Sequence, residues 1–358
     1  MKKALIAMSG GVDSSVAAYL MQQQGWDCMG ATMTLYRNED IGLSRSRTCC
    51  SLEDVEDARS VAFRLRIPYY IFNFSDEFRR QVMDRFADAY GQGRTPNPCI
   101  DCNRYLKFRH LYDRAALLGC DTIATGHYGR IERENGRYLL KKALDASKDQ
   151  SYVLYMLTQE QLAHTQFPLG ALHKAETRQL ADSLGFFNAR KPDSQDICFV
   201  PDGDYAAFIR WHTGKADTPG DFVDESGRIL GRHKGIAHYT IGQRKGLGVA
   251  AGKHVYVVRK NARDNTILLG DDRDLFTSRL TACRVNWIAG AAPAAPVRCT
   301  AKARYSQHAD APCTAYPLEG GGLRVVFDRP QRAITAGQAV VLYGGDEVLG
   351  GGTIESAE

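Results

Sequence analysis

Ser9-Gly10-Gly11-Val12-Asp13-Ser14-Ser15 follows a short apolar run, Ala4-Leu5-Ile6-Ala7-Met8, and precedes an amphipathic one, Val16-Ala17-Ala18-Tyr19-Leu20-Met21. The order reads as strand, glycine turn, helix. Two adjacent glycines let the backbone turn tightly with its N–H groups facing one way. The following helix points its positive end at the same spot, where its first N–H groups lack partners within the helix. Ser9, Ser14 and Ser15 add hydroxyls. Such an assembly suits a phosphate or pyrophosphate group. An ordinary glycine turn is the plainer alternative.

The loop lacks the Gly-Lys-Ser/Thr ending of a P-loop and does not fit the Rossmann G-x-G-x-x-G pattern. It resembles the pyrophosphate loop of ATP pyrophosphatase-type enzymes. That resemblance implies cleavage of ATP between its α and β phosphates and adenylation of a substrate oxygen.

The 358 residues suffice for two or three domains. With 44% hydrophobic and 24% charged residues, the composition is that of an ordinary globular protein. A formal net charge of +5 is mild, so a nucleic-acid surface would have to be a local basic patch. No apolar run is long enough to span a membrane, and the first one is too short for a secretion signal. The expectation is a cytoplasmic protein. Ten cysteines in that setting point to catalysis or metal binding before a disulfide framework.

Along the chain, Cys28 to Leu35 reads as a second strand, Ser51 to about Leu65 as a helix opened by a capping box, and Tyr69 to Phe74 as a third strand. A helix follows from about Glu77 to Tyr90. Gly93-Arg94-Thr95-Pro96-Asn97-Pro98-Cys99-Ile100-Asp101-Cys102-Asn103 is a proline-stiffened loop, with Asn103 as the expected start of the next helix. Cys102 would then sit near a helix N-terminus beside Arg104, Lys107 and Arg109, conditions that favour a thiolate. Asp121 to His127 is a fourth strand ending in glycine, and Arg137 to Lys142 belongs to a hairpin. Further helices fall near Gln159–His164 and Lys174–Gly185. The alternation predicts a doubly wound α/β parallel sheet over residues 1–203.

Past about Asp204 helical periodicity fades. Gly231 to Gly235 and His238 to Gly248 are basic and glycine-rich, suited to a phosphate backbone or to a solvated surface. This predicts a small central β-rich domain over 204–272, with a surface open to a nucleic-acid backbone. Val297 to Tyr305 alternates apolar and basic residues, and more strands follow, predicting a C-terminal β-barrel over 273–358.

Cys99, Cys102 and Cys198 are the candidate reactive cysteines. Cys99-x-x-Cys102 has no second half that would complete a zinc site, and lacks the βαβ context of a thioredoxin-like pair. Cys102 and Cys198 could instead act together across a crevice. Adenylation makes an oxygen a leaving group, and a persulfide supplies the replacing sulfur. Cys28, Cys120, Cys283, Cys299 and Cys313 read as small hydrophobes, and Cys49 and Cys50 carry no assigned role.

The segments Ser9 to Ser14, Gly93 to Pro98, Ala124 to His127, Lys148 to Tyr152, Asp196 to Phe199 and Gly242 to Gly248, in that order, resemble the bacterial tRNA 2-thiouridylase family. The resemblance implies 2-thiolation of the tRNA wobble uridine. Ala7, Met8, Ser9, Gly10, Gly11, Val12, Asp13, Ser14, Met33 and Gly126 would bind ATP, with Mg2+. Cys198 would hold a persulfide delivered by a sulfur-carrier protein, and Cys102 would be its partner nucleophile. Asn97, Pro98 and Cys99 would touch a flipped uridine. His127, Lys148, Asp149, Gln150, Arg304, Tyr305 and Gln338 would contact tRNA. The protein is expected to act as a monomer without a membrane.

Cys99 departs from the family pattern, which has aspartate there. This opens an alternative in which Cys99, Cys102 and Cys198 hold three irons of a [4Fe–4S] cluster. Two other readings compete: an amidating or ligating synthetase, and an RNA-binding module that keeps ATP as a structural ligand.

Overall fold

The computed structural model describes residues 2–42, 52–193 and 197–358. Ser51, Cys49 and Cys50 lie outside the described residues. The first sheet contains β1 (Lys3–Ala7), β2 (Asp27–Thr34), β3 (Tyr69–Asn73) and β4 (Thr122–Ala124). After the hairpin β5 (Arg130–Glu134) and β6 (Arg137–Lys141), β7 (Thr165–Gln166) completes it. The order is β3-β2-β1-β4-β7, all parallel. The chain therefore turns from one side of β1 to the other, which makes the carboxyl ends of β1 and β4 the switch point of a doubly wound sheet.

Apolar residues on both faces suit this central position. In β1, Leu5 joins one core while Ala4 and Ile6 join the other. The helices are α1 (Val12–Gln23), α2 (Leu52–Arg64), and α3, built of Ser75–Phe78, a π-wound stretch Arg79–Met83, and Asp84–Gly91. Next comes α4, which runs through Pro98–Asp101, a π-wound Cys102–His110, and Leu111–Leu117. Then follow α5 (Gln159–Ala163) and α6 (Lys174–Ser183).

Helix α4 starts five residues before the expected Asn103. Asn97 caps it, accepting from the Cys99 N–H at 3.1 Å, and Pro98 occupies the first turn, where its fixed φ is already helical. Asn103 is buried and donates to the Val153 carbonyl at 2.9 Å.

The central unit begins with α7 (Tyr205–Thr213), a helix in a stretch where fading periodicity was expected. Asp204 caps it by accepting from Ala207 N–H. Its Phe208 ring packs 4.9 Å from Phe199, so its apolar face belongs to the first unit's core. Strands β8 (Gly220–Val223), β9 (Ile229–His233), β10 (Tyr256–Asn261) and β11 (Thr266–Gly270) form a separate sheet around Phe222, Val257, Ile267 and Leu269.

Six strands make the C-terminal barrel: β12 (Phe276–Trp287), β13 (Val297–Lys302), β14 (Ala311–Pro317), β15 (Leu323–Arg332), β16 (Ala339–Gly344) and β17 (Glu347–Ala357). Pairing of β12 with β17 closes the ring. In β13, Cys299 and Ala301 point into the core, leaving Arg298 and Lys302 outside as the alternation required.

The barrel is fastened to the first unit. Glu347 of β17 pairs with Lys141 of β6. The buried segment 151–157 lies against the barrel, with Tyr152 Oη donating to the Ala339 carbonyl at 2.8 Å. Asn286 Nδ2 donates to the carbonyls of Tyr155 (2.7 Å) and Leu157 (3.0 Å). Replacing Asn286→Ala strips two carbonyls of this junction. It should lower stability by about 1–3 kcal/mol in urea unfolding, and a wild-type midpoint would show that the junction carries none of it.

Candidate active site

The turn after β1 has the form its glycines require. Gly10 has φ +76°, and a Cβ there would lie 2.4 Å from the Asp54 carbonyl oxygen, so no side chain fits. Gly11 caps α1 without a side-chain hydrogen bond, leaving first-turn N–H groups for a ligand. Ser14 Oγ accepts from Ser9 N–H at 3.1 Å and donates to the Gly11 carbonyl at 3.0 Å. Ser15 Oγ donates to the same carbonyl at 3.1 Å. Two of the three serine hydroxyl protons thus brace the loop itself. Asn188 Nδ2 adds bonds of 2.9 Å to the Gly10 carbonyl and to Ser15 Oγ.

Gly126, just past β4, meets this loop across the switch point. A Cβ on it would fall 2.8 Å from the Ser14 nitrogen. Met8 and Val12 are buried, whereas Met33 near the end of β2 is half-buried. Ala7 closes β1, and Ser9 stays at the surface.

Around the loop lies a set of ion pairs that joins Asp13 and Lys148 to residues the motifs did not single out, Lys174, Arg178 and Asp193. Buried Lys174, at the start of α6, puts Nζ 2.7 Å from both carboxylate oxygens of Asp13 and 2.8 Å from Asp193. Asp193 also takes Lys148 at 2.9 Å and Arg178 at 2.7 Å. Burial alone would raise the Asp193 carboxyl, but hydrogen bonds and charge from Lys174 and Lys148 outweigh it and bring it to about 2. Tyr128 Oη donates to Asp13 Oδ1 at 3.0 Å. Lys191 pairs with Asp54 (2.5 Å) and Asp57 (2.6 Å) of α2.

The thiols differ in setting. Cys102 is in the second turn of α4 and buried. Desolvation, opposed by Lys107, pushes its thiol up to about 11. The expectation of a resting thiolate is therefore corrected: the helix begins earlier than the sequence suggested, so its N-terminal N–H groups lie a turn away, and burial outweighs the one cation acting on it. Cys198 is half-buried, and its carbonyl accepts from Tyr36 Oη at 2.5 Å. Tyr36 follows β2, so Cys198 sits at the carboxyl edge that also carries the loop. Both thiol segments rest on α3. Arg85 Nε pairs with Asp101 at 3.1 Å, and the next residue, Phe86, packs edge-on against Phe199 at 5.3 Å.

The residues expected to meet RNA divide into two groups. Cys99, Arg304 and Tyr305 are exposed, and the Tyr305 ring lies 5.8 Å from that of buried Tyr152. Arg304 lines a cleft with Phe276, Gln307, Gln331 and Arg332. Lys148 is paired with Asp193 yet keeps its side chain 38% exposed, and the others are engaged internally. Asp149 accepts from Ala143 N–H and from Ser151, and Gln150 exchanges two 2.9 Å bonds with the Tyr128 backbone. Gln338 donates to the Thr95 carbonyl at 2.7 Å. His127 is buried, its imidazole held neutral by burial and by Lys107, with Nδ1 2.7 Å from Thr125 Oγ1. Asn97 serves as the cap of α4 and Pro98 is buried beneath it.

Among the described residues, no three His, Cys, Asp or Glu side chains gather as a metal-binding group. Burial of Cys28, Cys120, Cys299 and Cys313 agrees with their reading as small hydrophobes.

Three family models match successive stretches. A tRNA methyl transferase HUP domain matches residues 2–202, a tRNA methyl transferase PRC-barrel domain 206–271, and an aminomethyltransferase beta-barrel domain 277–354. The tRNA-specific 2-thiouridylase MnmA of Clostridioides difficile is 51% identical over 358 residues, covering 99% of both chains. Its namesake in Symbiobacterium thermophilum is 52% identical over 99% of this chain and 93% of its own. That of Acetivibrio thermocellus is 52% identical over 99% of each. About half of all positions are thus shared over nearly the whole chain, and the chain belongs to the tRNA-specific 2-thiouridylase family.

Proposed function

We propose that the protein replaces the C2 oxygen of the tRNA wobble uridine with sulfur, using ATP. The nucleotide is held by Ala7 to Ser14, Met33 and Gly126. The uridine oxygen attacks the α-phosphorus, pyrophosphate leaves, and C2 carries an adenylate. The terminal sulfur of a Cys198 persulfide then attacks C2, and AMP leaves. Finally the Cys102 thiolate attacks Cys198 Sγ, and the S–S bond to the transferred sulfur breaks. Its electron pair becomes the C2=S bond's sulfur lone pair, and a Cys102–Cys198 disulfide remains for an external thiol to reduce.

What supports this reading is one juxtaposition. Both thiol segments seat on α3, and Tyr36 ties Cys198 to the sheet edge that bears the loop. A synthetase reading leaves both cysteines idle. Cys99, Lys148, Arg304 and Tyr305 touch RNA directly. Asn97, Pro98, His127, Asp149, Gln150 and Gln338 hold the surfaces that do. A magnesium ion would arrive with the phosphates and keep most of its waters, so the single loop carboxylate Asp13 is a sufficient protein contribution. The sulfur source is a persulfide-bearing carrier protein, and the chain works as a cytoplasmic monomer. Among the described residues no helix is long and apolar enough to cross a membrane.

Cys198→Ala should abolish 2-thiouridine formation, read by mass spectrometry of tRNA, while leaving tRNA affinity intact. Unchanged thiolation would reject the assignment. With its thiol near 11, Cys102 is protonated at neutral pH. Its iodoacetamide labelling in the free protein should climb about tenfold per pH unit up to that value. A plateau near pH 8 would contradict the buried, protonated resting state.

A further inference from the structure

Three cations converge on one carboxylate beside the loop. Lys148, Lys174 and Arg178 approach Asp193 at 2.9, 2.8 and 2.7 Å, and Lys174 also grips the loop's own Asp13. Three positive and two negative groups leave the cluster with an excess of one positive charge. Lys174 is the deepest of them, its side chain only 10% exposed. A buried ammonium normally needs its charge matched. Here the match comes partly from Asp193, which is a third exposed and reached by Lys148 from the solvent side. Lys174 stands next to the first turn of α1, where Gly11 leaves N–H groups without a side-chain cap. Cationic heads and N–H donors therefore meet at one place, a combination suited to a polyanion.

We propose that Lys148, Lys174 and Arg178 receive the phosphate groups of the nucleotide, and that Asp193 is the resident anion that yields these cations when ATP enters. This deepens the ATP-dependent reading above and rests on it. Asp193 offsets part of the cluster's charge in the free protein and competes with the incoming phosphates, so the nucleotide gains cations that are already gathered in place. Lys148, which the family resemblance assigns to tRNA, then serves the phosphates as well. Arg178 is steadied for this by its 2.9 and 3.0 Å bonds to the carbonyls of Ala189 and Lys191.

The test is calorimetric titration of the full chain with inorganic pyrophosphate and with ATP. Asp193→Asn should bind pyrophosphate about three- to tenfold more tightly, because a competing charge at hydrogen-bond distance is gone. Asp182→Asn makes the same charge change on α6 but near Arg190, and should bind as the wild type does. Lys174→Met should weaken pyrophosphate binding about tenfold or more. Equal or weaker binding by folded Asp193→Asn overturns the proposal while leaving the ATP reading intact, whereas a wild-type chain that binds neither ATP nor pyrophosphate overturns both. If Asp193→Asn does not fold, Lys148→Met decides. A loss of pyrophosphate affinity of about threefold or more supports the proposal, and an unchanged affinity overturns it.

Discussion

The close approach of Gly126 to the backbone of Asp13 and Ser14 is the constraint on which the site depends. A Cβ at Gly126 would sit 2.8 Å from the Ser14 nitrogen and 2.9 Å from the Asp13 carbonyl carbon. The two strand ends at the switch point can therefore meet backbone to backbone. This contact sets the first turn of α1 beside the β4 loop, and that loop carries Tyr128 to Asp13 and Thr125 to His127. Gly10 makes the matching demand on the other side, against α2. The loop is clamped between two backbones before any ligand arrives, which spares a polyanion the cost of ordering it.

Rigid attachment of the barrel follows the same logic. Segment 151–157 leaves the ligand-facing region at Asp149 and Gln150 and runs directly under the barrel, where Tyr152 and Asn286 fix it. On the opposite side Gln338 and the Ala336 carbonyl hold Thr95, just ahead of the α4 cap. Tyr305 of the barrel thereby packs its ring 5.8 Å from Tyr152 of segment 151–157. The surface expected to meet RNA is thus assembled from two units joined by buried hydrogen bonds, and such bonds leave little freedom for one unit to swing against the other.

The doubly wound sheet, the barrel and the glycine loop were legible because each rests on local pattern: an apolar run before a glycine turn, or alternation along a strand. Helix α4 was misplaced because Pro96 and Pro98 look like helix breakers, although proline in a first turn is compatible with a helix. Helix α7 was missed since its apolar face serves the neighbouring unit's core through Phe208. Lys174 and Asp193 were invisible as a pair. Nineteen positions separate them, and a lone lysine or aspartate in sequence reads as a solvated surface group.

The thiols show how far sequence logic reaches. Cationic neighbours do act on Cys102, and Lys107 lowers its thiol as the helix composition suggested, but desolvation is the larger effect. A buried neutral thiol is a poor nucleophile and a poor target for stray oxidants, so the same burial that delays reaction also protects it. Making it reactive requires either water or a further positive charge at the wall formed by α3 and α4. Lys107 is the cation already there, and its one described hydrogen-bond partner is the neutral His127 at 3.5 Å rather than a carboxylate. Its charge is left available to the thiolate.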